Sequence, residues 1–144
     1  MKTRLFYTVL TIGILIATLS CSKDDDSVAA APTYAELIIG NWNLEQVGTI
    51  NRVGDITLAP IPDCSLESIV FFNNGTCRIT ACFDGEPLIA TLTWELNGSD
   101  LFLQSVEFSD ITSEGFILSL DKNTLEIRTP YNNAGVADYE FYTR

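Results

Sequence analysis

The chain has 144 residues, with 8 Lys+Arg against 19 Asp+Glu, no histidine and a formal charge of −11. Such an acidic balance leaves no electrostatic footprint for nucleic acid, whose phosphates require clustered Lys and Arg. Without histidine there is no Ser-His-Asp or Cys-His catalysis, no HExxH metalloprotease chemistry and no His-ligated zinc or haem.

Residues 1–20 read as an address. Lys2 and Arg4 form a short basic start, and Leu5–Leu19 is an uncharged run. That run is short of the ~20 residues of a membrane span and suits the apolar segment of a signal peptide. The alternative is a retained membrane anchor. Against it stand the small Ser20, the Cys21 that follows and the abrupt polarity of Ser22-Lys23-Asp24-Asp25-Asp26. Thr18-Leu19-Ser20-Cys21 resembles a bacterial lipobox. The resemblance implies that Cys21 is diacylated and becomes the mature N-terminus. Two or three acyl chains, palmitate among them, would then hold the protein to a bilayer, one chain alone giving only marginal binding.

The acidic run after Cys21 resembles the export signal that some Gram-negative bacteria place behind a lipidated cysteine. It implies the outer membrane, facing the exterior; the plain reading of the same run is a solvated spacer. Removal of residues 1–20 takes Lys2 and Arg4 and none of the acids, so the mature chain is more acidic still. The expected organisation is a signal peptide over 1–20, a lipidated Cys21 with an acidic flexible tether over 21–32, and a folded domain over 33–144.

At 47% hydrophobic the chain is apolar enough to fold, and its length suits one domain with appendages. Thr33-Tyr34-Ala35-Glu36 has the form of a capping box and Gly40 a natural stop, which predicts one short helix over 34–39. Short apolar runs then alternate with turn residues. The predicted strands are 41–47, 56–59, 66–72, 76–83, 88–96, 101–108, 116–120, 125–129 and 137–142. Their separators include Asn73-Asn74-Gly75, Asp84-Gly85, Asn97-Gly98 and Asn133-Ala134-Gly135, hairpin chemistries in which Gly or Asn supplies φ > 0. Strands spaced this evenly, with no helix between them, predict an all-β, antiparallel up-and-down barrel of about eight strands.

Alternation assigns the faces. Trp42 and Leu44 alternate with Asn43 and Glu45, Leu92, Trp94 and Leu96 with Thr93 and Glu95, and Tyr139 and Phe141 with Asp138 and Glu140. One apolar face packed around a single core is what period-2 strands of this kind form. The expected barrel interior contains Trp42, Phe71, Trp94, Tyr139 and Phe141. These five are the candidate ligand-binding residues. Glu45, Glu95, Glu126 and Glu140 are expected on the wet face.

Four segments carry a family resemblance. Leu37-Ile38-Ile39-Gly40-Asn41-Trp42-Asn43-Leu44 resembles the L-x-G-x-W-x-L opening of lipocalin-like domains, and Ile69-Val70-Phe71-Phe72-Asn73-Asn74-Gly75-Thr76 resembles their F-x-x-x-G-T hairpin. Trp94-Glu95-Leu96-Asn97-Gly98-Ser99-Asp100-Leu101 is similar to their W-x-L-x-G-x-x-L turn, and Leu120-Asp121-Lys122-Asn123-Thr124-Leu125 to a late hairpin. The resemblance runs from Leu37 to Arg144 and implies a lipocalin-like barrel of the kind found in bacterial lipoproteins. Trp42 is expected to plug the barrel base, with ligand contact as the alternative.

With Cys21 acylated, Cys64, Cys77 and Cys82 remain. An oxidising compartment favours one disulfide and one leftover thiol, with three pairings open. If Asn73-Asn74-Gly75 forms a turn with a G1 bulge, Phe71 pairs with Cys77, and Ile69, Phe71, Cys77, Ile79 and Ala81 share the core face. Cys64 and Cys82 then fall on the opposite face, which ranks Cys64–Cys82 first and leaves Cys77 a buried small hydrophobe.

Catalysis finds little support. A cysteine without histidine is a poor nucleophile. Paired carboxylates run glycoside hydrolysis, but Asp84-Gly85-Glu86 and Ser109-Asp110 read as solvated turns. No phosphate loop, dinucleotide fingerprint or EF-hand spacing is present, and Asp24-Asp25-Asp26 in a tether does not assemble a calcium cage. The expectation is a binding protein that is not an enzyme, with no cofactor and no metal. Its acidity disfavours association, so a monomer is expected. Two readings stay open: a carrier of a small apolar or amphipathic ligand, and a plugged barrel that binds a protein or glycan through its loops. The address is directly testable. Cys21→Ser is expected to move the protein from the membrane pellet to the soluble fraction after cell lysis, and continued pelleting would refute lipidation at Cys21.

Overall fold

The structure, a computed structural model, describes residues 31–144 except Cys64 and Ser109. The signal peptide, Cys21 and all but the last two residues of the tether lie outside the described residues. Among the described residues one helix, α1 (Tyr34–Ile38), precedes β1 (Gly40–Asn51), β2 (Ile56–Ala59), β3 (Leu66–Phe71), β4 (Thr76–Phe83) and β5 (Glu86–Asn97). The chain continues through β6 (Asp100–Ser105), β7 (Thr112–Leu120), β8 (Thr124–Arg128) and β9 (Val136–Thr143).

Each strand pairs antiparallel with its neighbour, from β3 through β9, and the sheet closes because β1 pairs with both β3 and β9. The circuit holds eight strands. β2 is the additional one: Ile56–Ala59 lie along the same edge of β1 as β3, against Val47–Ile50, while Ser68–Phe71 take Gly40–Asn43. The 60–65 segment interrupts what would otherwise be one long partner strand. Its two prolines cannot donate to a ladder, so the break falls where the sequence cannot pair. Ladder shifts at Glu45, Glu67 and Leu118 add the curvature that closure of a small barrel requires.

Turn chemistry follows the sequence. Asp84 (φ 52) and Gly85 (φ 82) both adopt positive φ in the two-residue hairpin between Phe83 and Glu86, the type I′ pattern. In the β3–β4 turn Phe72 N–H donates to the Thr76 carbonyl at 2.9 Å, and Phe71 pairs with Cys77. This is the register expected from Asn73-Asn74-Gly75. Cys77 is accordingly a free thiol with no exposed surface, its pKa pushed up to about 11 by burial. Cys82 is not a free thiol. Cys64, its expected partner, lies outside the described residues.

One end of the barrel is sealed by side chains from three places. Thr33 caps α1, its hydroxyl accepting from Glu36 N–H while Glu36 accepts from Thr33 N–H at 2.7 Å. The helix lays Ile38 across the base, fully buried. Trp42 is also fully buried, and its indole N–H donates to the Ile38 carbonyl at 2.7 Å. The Arg144 guanidinium lies 4.2 Å from the Trp42 ring centroid and donates to the carbonyls of Leu37 and Ile39. Phe71, Leu101, Leu125 and Tyr142 complete the filled base. Trp42 is thus the base plug. Trp42→Ala is expected to cost about 3–5 kcal/mol of stability in urea unfolding. Arg144→Ala should cost less, about 1–2 kcal/mol, because it removes the cation over the ring and its hydrogen bonds to Leu37 and Ile39 but leaves the indole in place.

Candidate functional site

The inner face is defined by ladder partners, since residues opposite each other on neighbouring strands point to the same side. Leu125 pairs with Tyr142 and Ile127 with Glu140, and Leu125, Ile127 and Tyr142 belong to the core. Glu140 therefore faces inward. Across the next ladder Val47 pairs with Glu140 and Thr49 with Asp138, while Ala59 and Thr57 follow on β2. Two inward rows result, Ala59–Val47–Glu140 and Thr57–Thr49–Asp138.

Side-chain size changes along the barrel axis. The sealed half holds Trp42, Phe71, Leu101, Leu125 and Tyr142, all at 2% exposure or less. Towards the other end the inward ladder positions include the small residues Ala81, Ala90, Ser105, Ser113 and Thr49 beside Leu88 and Leu103. A cleft of about 430 Å³ opens there, between β1, β2, β9 and the 60–65 connection. Its apolar wall is Leu44, Val47, Leu58, Ala59, Pro60 and Pro62; its polar side is Thr49, Thr57, Ser65, Asp138 and Glu140, with Gly48 and Tyr139 also in the lining. The volume falls in the roughly 300–1,000 Å³ range of small-molecule sites.

Glu140 is the chemically distinctive group. Its Oε2 accepts a 2.6 Å hydrogen bond from the Tyr142 hydroxyl. Burial pushes the Glu140 carboxyl above its ordinary value, the Tyr142 hydrogen bond pulls it down and the Asp138 charge pushes it up again. Tyr142 is raised well above its own ordinary value, first by burial and then by the Glu140 charge. Beyond the cleft, the same end of the barrel carries exposed apolar side chains: Val53, Leu88, Ile89, Val106, Phe108 and Ile111.

Three of the five residues expected inside are there. Trp42 and Phe71 are buried in the sealed base, and Trp94 is half-buried on the inner face. The Phe71 and Trp94 rings meet edge to face at 5.7 Å, and Trp94 donates to the Phe72 carbonyl at 3.1 Å. None of the three lines the cleft; of the five, Tyr139 does.

Tyr139 and Phe141 correct the expectation. They share the outer face with Glu126 and Arg128, their ladder partners' side, and form a second apolar cluster with Ile50, Ala137 and Tyr131. Tyr139 donates to Glu126 Oε2 at 3.0 Å, and its pKa is pushed up to about 12 by burial and by that carboxylate. The physical reason is a roof. The 129–135 connection brings Tyr131 over the outer surface, with the Arg128 guanidinium 4.3 Å from its ring centroid. Apolar residues are stable on an outer face that is covered.

Glu140 is the matching correction, expected on the wet face and placed inside. Alternation alone assigned both. The signal that separates the faces is Tyr142, which continues the parity of Asp138 and Glu140 and is the most buried residue of β9. Glu126 lies on the outer face, as expected. Among the described residues no three of His, Cys, Asp or Glu converge on a point where a metal ion would sit.

No protein-family model and no curated protein matches the sequence. Among solved structures, a lipocalin-like protein from Bacteroides uniformis is 14% identical over 74% of this chain and 97% of that one, with a TM-score of 0.49. A bovine odorant binding protein in complex with a selenium-containing odorant is 14% identical over 74% of this chain and 72% of that one, at 0.45. The bovine lipocalin allergen Bos d 2 is 16% identical over 77% and 75%, at 0.47. The closed barrel described above stands on this chain's own strand pairing.

The Glu140 shift predicts a pH effect of defined sign. Over a window above the ordinary glutamate value of 4.5 the folded chain still holds this proton while the unfolded chain has lost it. This group therefore lowers stability as pH rises through that window. Glu140→Gln is expected to match the wild type in urea unfolding at pH 4 and to exceed it at pH 7. An unchanged difference between the two pH values would show that Glu140 is not desolvated.

Proposed function

We propose that this protein is a lipid-anchored binding protein of the cell envelope that holds a small apolar or amphipathic ligand in the open half of its barrel. The cleft carries the reading. It is a concave space with an apolar wall and a few polar groups, over a base too full to admit anything. A barrel plugged from end to end would leave no such space, which favours ligand binding over a module that works through its loops alone. The exposed apolar side chains at the open end extend the apolar surface outward, a feature of surfaces that receive an apolar ligand or partner.

The lipocalin-like motifs from Leu37 onward support the same reading, as does the lipobox-like sequence at Cys21 for a membrane attachment. The acidic run behind Cys21 supports the outer face of the outer membrane, and the Cys64–Cys82 pairing belongs to the same proposal. The function is binding, with no catalytic role assigned to any residue. Native mass spectrometry of protein purified from its own cells is expected to show a co-purifying small apolar mass. In titration with N-phenyl-1-naphthylamine, a neutral apolar fluorophore, Val47→Trp should abolish saturable binding with the fold retained. Undiminished binding by that variant would move the site elsewhere.

A further inference from the structure

We propose that the ligand carries a cationic head, an ammonium or amidinium group on an apolar body, and that Glu140 is its counter-charge. The proposal rests on the cleft being the ligand site. The lining holds two carboxylates, Asp138 and Glu140, and neither Lys nor Arg. A carboxylate set among apolar walls is costly unless its charge and its hydrogen-bonding capacity are met. Tyr142 donates to Oε2 at 2.6 Å. The Tyr142 hydroxyl is neutral, so it fixes the orientation of the carboxylate and leaves its charge in place.

No described Lys or Arg lines the cleft. Arg144 seals the opposite end over Trp42, and Arg52 and Arg128 lie against Tyr131 on the outer surface. Arg78 is exposed on β4, and Lys122 sits in the β7–β8 turn at the sealed end. The groups that face Glu140 are equally plain. β9 itself contributes Asp138 and Tyr142, β8 contributes Ile127, β1 contributes Leu44, Val47 and Thr49, and β2 contributes Thr57 and Ala59. The titratable groups among them are Asp138 and Tyr142, and neither is positive.

A cationic head adds a charge-assisted hydrogen bond to the Glu140 carboxylate, with the Thr49 and Thr57 hydroxyls also in the cleft lining as acceptors. An anionic head would meet two like charges, so the cleft selects against fatty carboxylates as well as for ammonium ligands. The apolar wall takes the body of either.

Isothermal titration of the full chain carrying Cys21→Ser, free of detergent, with decylammonium, decanol and decanoate at pH 7 separates the possibilities. Decylammonium is expected to bind about tenfold or more tightly than decanol, with decanoate weakest. Glu140→Gln should bring decylammonium to within about twofold of decanol, and an unchanged far-ultraviolet circular dichroism spectrum shows that the variant is folded. Should Glu140→Gln fail to fold, Thr49→Lys places an ammonium in the adjacent inward row and should erase the preference in the same way. A wild type that binds decylammonium no better than decanol overturns the cationic head while leaving the cleft as a ligand site. So does a preference that survives the substitution. Failure of all three probes to bind overturns the ligand site and the head together.

Discussion

Closure of one end of the barrel is the constraint on which the rest depends. A small antiparallel sheet that wraps on itself has two mouths, and an unsealed mouth would let water reach the core. Here the indole of Trp42 fills one of them, bonded to the Ile38 carbonyl and covered by the Arg144 guanidinium. The same guanidinium reaches the Leu37 and Ile39 carbonyls, which hold the end of α1 and the start of β1. The beginning and the end of the described domain therefore meet at one residue pair. Once that end is sealed, β1 is held between β3 and β9, and the remaining strands have only one circuit to complete.

The sealed end also decides where a ligand can go. Large side chains occupy the base, Trp42, Phe71, Leu101 and Leu125 among them, and at the other end Ala, Ser and Thr stand among the inward positions beside Leu88, Val47 and Glu140. β2 sharpens the asymmetry by pairing with the part of β1 that runs past the end of β3, which carries the cleft wall further on that edge of β1. Gly48 permits this. A Cβ at that position would run into the backbone of Thr57 and Leu58 on β2. Into this apolar wall the fold places Glu140, a group that burial disfavours as an anion. A charge retained at such a position costs stability, and buried or perturbed acids in a cleft are where binding chemistry is found.

Much of this was legible beforehand because it is local. The capping box at Thr33 and Glu36, the Asp84-Gly85 turn and the Phe71–Cys77 pairing all follow from interactions within a few residues, and each stands where those residues predict. Trp42 as the base plug was legible for the same reason: the residues just before it form the helix that covers it. The faces of β9 were not. Tyr139 and Phe141 look like core residues until Tyr131 and Arg128 arrive from elsewhere in the chain to cover them, and Glu140 looks like a surface acid until Ile127 and Tyr142 are paired beside it.

The sequence by itself determined the acidic charge, the absence of histidine, the order of short strands and turns and, with them, an antiparallel barrel with one free buried thiol. These depend on composition, period-2 alternation and turn chemistry, which act over distances of a few residues. Only the tertiary structure decided which face of β9 looks inward, how far the barrel is filled and which acid enters it. Those outcomes are set by ladder register and by covering segments distant in sequence, and a period of two cannot distinguish an inner face from an outer face that has acquired a roof.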